Sequence, residues 1–259
     1  MNQHQKAYFC TNGEKHMKRI VISFKRIDQS PIDLSTKFHG FMMENLAPDY
    51  VTWLHEQETN PYSLKIIHQK DKTLWSLHLL TDEAVKQILP FLLELKKAEL
   101  HDLPTLMVES LSMQDLSSEQ LLELFNQDQD RSFYTIHFQT PTGFRSQGEY
   151  VLFPSMRLIF QSLMMKYARL IENQQDIEEE TLDYLVKHSR ITSYRLETCY
   201  FKVHGKKIPA FKGRLSFKIT GPNTLKAYAN MLLKFGEYSG LGMKTSLGMG
   251  CLELEERKD

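Results

Sequence analysis

Two stretches of the sequence hold residue types that can do chemistry on a phosphate. Near the C-terminus, Gly240-Leu241-Gly242-Met243-Lys244-Thr245-Ser246-Leu247-Gly248-Met249-Gly250 spaces four glycines as G-x-G-x5-G-x-G. Glycine admits positive φ and lets the backbone approach a ligand closely. Successive N–H groups then form an anion-binding concavity, to which Lys244 adds a point charge and Thr245 and Ser246 add hydroxyl donors. Gly240, Gly242, Gly248 and Gly250 are candidates for that backbone seat. A tight connection between elements uses glycine in the same way, so on spacing alone both readings stand. The pattern is neither a Walker A loop, which needs G-K-[ST] opening a helix, nor a dinucleotide fingerprint, which follows a strand.

The second stretch surrounds His39. With a reference pKa of about 6.5, histidine can remove or deliver a proton near neutrality. Ten histidines are present, and His39 differs in lying on the expected first helix, beside Gly40, which clears space, and with Lys37 two residues away. A role in proton transfer and a partly buried helix position are both open for it. No H-E-x-x-H, no D-x-D pair placed for two metals, no G-x-S-x-G elbow and no Cys-His nucleophile pattern occurs. The chemistry on offer uses histidine, lysine and hydroxyls, without a metal or a cofactor.

Formal net charge is zero, but it is unevenly spread. Between Arg190 and Gly250 there are eleven Lys or Arg against Glu197 and Glu237, so this segment is +9 and the rest −9. A basic surface on an acidic body is the footprint of a polyanion-binding chain. Lys202, Lys206, Lys207, Lys212 and Arg214 are its candidate phosphate contacts, interleaved with Tyr200, Phe201 and Phe211. Those aromatics either stack on bases or fill the core, and strand packing favours the core.

These residues must be positioned by a mixed α+β chain. Residues 18–26 read as a strand, 33–46 as a helix with Leu34, Phe38, Phe41 and Met42 on one face, 63–80 as a hairpin, 82–97 as a helix interrupted or bent near Pro90, and 104–113 as a strand. That βαββαβ order is the ferredoxin-like (RRM-like) unit. A second copy is expected from a strand at 132–139, a turn-rich excursion, a helix at 155–171, a hairpin at 191–203 and 210–219, a helix at 222–236 and a last strand after the glycines. The expected organisation is a leader at 1–16, a first domain at 17–114 with His39, a linker at 115–131 and a second domain at 132–259. Cys10, Cys199 and Cys251 are isolated, which fits a reducing cytoplasm. No apolar run approaches the roughly 18 residues of a membrane span.

SGLGMKTSLGMGCLEL closely resembles the glycine loop of the CRISPR repeat-processing endoribonucleases, the Cas-six family. KFHGFMME, the FQTPTGF…FP segment at 138–154 and KIPAFKGRLSFKITGP at 207–222 resemble members that serve type III systems. The resemblance covers residues 17–259. It implies two tandem ferredoxin-like domains with antiparallel sheets and the glycine-rich loop in the second. The implied activity is a metal-independent endonuclease that cuts repeat RNA in the precursor transcript into crRNA units for antiviral defence. The 2′-oxygen would attack the adjacent phosphate, leaving a 2′,3′-cyclic phosphate and a 5′-hydroxyl. His39 matches the family histidine. Some members add a tyrosine and a lysine near it, where this chain has Phe24 and Asn45, so Lys25, Lys37 and Lys244 are the candidate stabilisers of charge developing on phosphate. The implied partners are precursor crRNA and, transiently, a type III effector complex, for a monomer or homodimer. The competing reading is a non-catalytic RNA-binding subunit of such a complex.

Overall fold

The computed structural model describes residues 16–126, 131–203 and 205–255. Nearly all of the expected leader and part of the expected linker therefore lie outside the described residues, as does His204. The element order opens with β1 (His16–Lys25), α1 (Pro31–Glu44), α2 (Pro48–Glu56), β2 (Tyr62–His68), β3 (Lys72–Leu79), α3 (Asp82–Glu94), β4 (Lys97–Ala98) and β5 (Leu106–Ser117). It continues with α4 (Ser118–Asn126), β6 (Phe133–Thr142), β7 (Phe144–Ser146), β8 (Glu149–Val151), α5 (Met156–Tyr167), α6 (Glu179–Lys187), β9 (Ser189–Val203), β10 (Lys206–Ile219), α7 (Asn223–Ser239) and β11 (Leu252–Leu254).

Two antiparallel sheets dominate, ordered β2-β3-β1-β5-β4 and β11-β6-β10-β9. In each, the first long strand lies between the third and the last, as the ferredoxin-like connection requires. The first core is built on alternation: Ile20, Ile22 and Phe24 of β1 and Trp75 and Leu77 of β3 face the helices and are buried. Phe38 of α1 sits between Phe24 and Trp75, with ring centroids 5.3 and 4.8 Å away. The second core packs Phe160 of α5 and Phe235 of α7 over Tyr134, Leu215 and Phe217 of the second sheet. A smaller cluster of Phe201, Val203, Ile208, Ala210 and Met249, flanked by Ile32, Met243 and Leu247, ties the β9–β10 hairpin to α1 and to the glycine segment. Phe201 and Phe211 are therefore core residues, whereas Tyr200 is 59% exposed.

Several boundaries differ from the pattern reading. α3 continues through Pro90 to Glu94 without interruption, because Val85, Ile88, Leu89 and Leu92 bury one stripe of it. α2 was not expected from periodicity; it is a nine-residue helix that begins on Pro48, whose missing N–H costs nothing at a first helical position. The turn-rich excursion contains the small β7–β8 hairpin. Among the described residues no helix is long and apolar enough to cross a membrane.

The first sheet is joined to the end of α7 through polar groups. Ser63 Oγ of β2 donates to the Tyr238 carbonyl at 2.5 Å, and His78 Nδ1 of β3 lies 2.8 Å from the same oxygen. Burial, reinforced by Arg19 and Lys65, pushes His78 down to about 3. The ring is therefore neutral, donating from Nδ1 to Tyr238 and accepting from Arg19 at Nε2, 3.2 Å away. Tyr238 stands two residues before the glycine segment, so this contact fixes where that segment starts.

Candidate active site

Helix α1 places His39. Ser30 caps it by accepting from Asp33 N at 3.2 Å, and Pro31 follows in the first turn. Leu34, Phe38 and Met42 form its buried stripe. Ser35 and His39, one turn apart on a neighbouring face, look toward the glycine segment, since residues four apart on a helix lie one above the other. Lys37, two residues from His39, points away for the same geometric reason. Its Nζ donates to the His101 carbonyl at 2.6 Å.

His39 lies on the wall of a cleft of about 510 Å³. Asn60, Ser162, Lys166 and the stretch Gly242 to Leu247 also line it. His39 Nε2 is 3.0 Å from the hydroxyl of Tyr62, the first residue of β2. Burial pushes the Tyr62 phenol above its usual range, and it also hydrogen-bonds Ser246. If the phenol donates to Nε2, Nδ1 carries the imidazole proton; if Nε2–H donates to the phenol oxygen, Nδ1 carries the lone pair. The protonated phenol thus orients the ring for either direction of proton transfer.

The glycine segment is held from inside the protein. Gly240, Gly242, Gly248 and Gly250 all have positive φ. The close approaches they permit are to the protein's own chain. A Cβ on Gly242 would run into the Gly143 carbonyl oxygen, and one on Gly248 would meet Ser35 Oγ of α1 at 2.7 Å. Thr245 and Ser246 are buried, with Thr245 Oγ1 accepting from Lys166 Nζ at 3.1 Å and Ser246 Oγ accepting from Asn60 at 3.4 Å. What the segment presents outward is Lys244, exposed at the lip of the cleft with a left-handed backbone (φ 54°, ψ 37°). Gly242→Val is accordingly expected to destabilise the fold by about 1 to 3 kcal/mol from backbone strain alone. Thermal denaturation reads this out. A variant with wild-type stability and lost ligand binding would show that Gly242 serves ligand approach and not internal packing.

Helix α5 reaches the segment from the second core. Lys166 is buried at 9% exposure and donates to the carbonyls of Ser239 (3.2 Å) and Gly240 (3.1 Å) as well as to Thr245. Burial pushes its ammonium down to about 7, while three oxygen acceptors favour the charged form. One turn earlier, Ser162 Oγ accepts from Gly242 N at 2.9 Å.

The other sequence candidates are dispersed. Lys25 ends β1 opposite Lys72 and does not line the cleft. Lys202, Lys206 and Lys207 are exposed on the β9–β10 hairpin, where Lys207 pairs directly with Lys202. Lys212 lines a second cleft of about 500 Å³ with Ser35, Gln139 and Gly248. Arg214 is bonded to Glu255 at 3.0 Å, on the open face of the second sheet. Among the described residues, no group of three His, Cys, Asp or Glu is placed to hold a metal ion.

Sequence reasoning missed Tyr62 and Lys166. Nothing in SLKIIHQK marks the preceding tyrosine. Lys166, by contrast, carried a legible signal, since it falls in register with the buried Ile159, Leu163 and Leu170, where a lysine is out of place.

The family model described as CRISPR-associated endoribonuclease Cas6 matches residues 136–252. A CRISPR-associated endoribonuclease Cas6 of Streptococcus thermophilus is 60% identical over 243 residues, covering 94% of this chain and all of that protein. One from Mycobacterium tuberculosis is 30% identical over 252 residues, covering 93% of this chain and 79% of the relative. A solved Cas6 product complex shares the fold at a TM-score of 0.76 and 21% identity, covering 93% of this chain and 100% of that one. Matched over nearly its whole length at these identities, the chain belongs to the family of CRISPR-associated endoribonucleases called Cas6.

Proposed function

We propose that the protein binds the repeat of precursor CRISPR RNA and cuts it once without metal, by attack of a ribose 2′-oxygen on the adjacent phosphate. The products are a 2′,3′-cyclic phosphate and a 5′-hydroxyl. The observation that carries this reading is the convergence of His39, oriented by Tyr62, and the exposed Lys244 on one cleft. His39 exchanges a proton with the 2′-hydroxyl or the leaving 5′-oxygen. Lys244 stabilises the extra negative charge that develops on the phosphate. Incubating the protein with repeat RNA in excess EDTA tests the reading and separates it from an RNA-binding subunit that does not cut.

Lys202, Lys206, Lys207 and Lys212 are the proposed phosphate contacts outside the cleft. Like charges directly opposite each other across two strands are destabilising, so the Lys202–Lys207 pair is best explained by an anion bound over it. Replacing Lys206 and Lys207 by Ala is expected to weaken binding and to flatten the slope of log affinity against log salt by about one unit per lost contact. Salt titrations of both proteins measure it. Unchanged affinity and slope would take the hairpin tip out of the interface.

A further inference from the structure

Lys166 is nearly inaccessible, lies on a helix from the second core, and spends its three donors on the glycine segment. Two of its acceptors, the Ser239 and Gly240 carbonyls, stand where the segment begins; the third, Thr245 Oγ1, stands beside Lys244 on its far arm. Ser162, on the same face of α5, accepts from Gly242 between them. Lys244 itself adopts a left-handed conformation that a lysine populates sparsely, and such a conformation persists only when its surroundings over-determine it. The Lys244 carbonyl accepts from Leu247 N at 3.0 Å and from Met249 N at 3.3 Å, which closes the turn from the other side.

We infer that Lys166 is a positioning residue for RNA cleavage: by bridging the two arms of the glycine segment it holds Lys244 at the lip of the cleft, facing the phosphate that His39 acts beside. A fully hydrated lysine loop would have to order itself on each binding event, whereas a seat tied from beneath is pre-organised. The inference rests on the cleavage reading above, but the state of the segment is measurable without RNA. Ser162 contributes the smaller part, through one hydrogen bond.

The experiment uses the full chain with Lys166→Met, Lys166→Arg and Ser162→Ala. Amide hydrogen exchange without RNA is measured first. Lys166→Met is expected to speed exchange at 239–250 at least tenfold, with the sheet amides unchanged. Affinity for repeat RNA carrying a 2′-deoxy scissile nucleotide, and single-turnover cleavage of the intact repeat, are then compared. Lys166→Met should lose at least tenfold in affinity and tenfold more in rate at saturating protein. Lys166→Arg, which keeps its donors, should recover much of both. Ser162→Ala should shift the same readouts by a few fold.

An Arg variant as impaired as Met, a Met variant with wild-type exchange and rate, or one that unfolds or exchanges faster throughout both sheets would each overturn the inference. The last outcome would make Lys166 a residue of the fold alone. If the wild-type protein does not cut the repeat, the cleavage reading fails; faster exchange confined to 239–250 would still separate that failure from this one.

Discussion

His39→Ala is expected to slow single-turnover cleavage of repeat RNA by about 10²- to 10⁴-fold while leaving affinity within a few fold. Scission needs one proton removed from the 2′-hydroxyl and one delivered to the 5′-oxygen, and a positioned acid or base supplies rate factors of that size. At about 1.36 kcal/mol per tenfold, the loss corresponds to about 2.7 to 5.4 kcal/mol of transition-state stabilisation. The side chain can be removed with little damage to the fold. The ring stands outside the Leu34–Phe38–Met42 stripe and is only half-buried, so α1 keeps its packing. The expected split between rate and affinity separates chemistry from binding, because a group used only in the transition state lowers kcat without raising Kd. Wild-type rates from the variant would remove His39 from the mechanism. Equal losses in rate and affinity would make it a binding residue.

The second large effect belongs to Lys244. Removing one preorganised donor to developing charge costs about 10²- to 10³-fold in rate where water is excluded. Lys244 is at an exposed lip, so salt screens it and about 10²-fold is expected at low ionic strength, less at high salt. Lys244→Ala should also weaken affinity, because a phosphate contact is lost along with the transition-state one. A rate loss that is independent of salt, or no loss at all, would contradict the role given to this cation. The test is single-turnover kinetics at two ionic strengths.

Much of the architecture was legible because it rests on periodicity. The alternation in KRIVISFKR and the hairpin at 63–80 gave the first sheet, and the repeated order gave the second. α2 escaped because PDYVTWLHE mixes β-branched and aromatic residues with too few turns to show a face. The convergence of the site was only half legible. His39 and the glycine segment could be named separately, about 200 residues apart, but that Ser35 meets Gly248 and His39 shares a cleft with Lys244 is a product of how the first sheet is joined to the end of α7 through Ser63, His78 and Tyr238. Proximity in sequence misled in one case: Lys37 neighbours His39 in the chain, yet two residues on a helix turn it to the far side. The hydroxyls of Thr245 and Ser246 looked available to a phosphate because a sequence does not show that both are buried, where they accept from Lys166 and Asn60.

The most direct measurement is the chemistry of the cut ends. Wild-type protein is incubated with repeat RNA in excess EDTA, and with the same RNA carrying a 2′-deoxy sugar at the scissile nucleotide. One discrete cut is expected in the all-ribose substrate, ending in a 2′,3′-cyclic phosphate and a 5′-hydroxyl, and none in the deoxy substrate, which lacks the nucleophile. Cleavage that appears only when a divalent metal is restored, or that leaves a 3′-hydroxyl and a 5′-phosphate, would contradict the account.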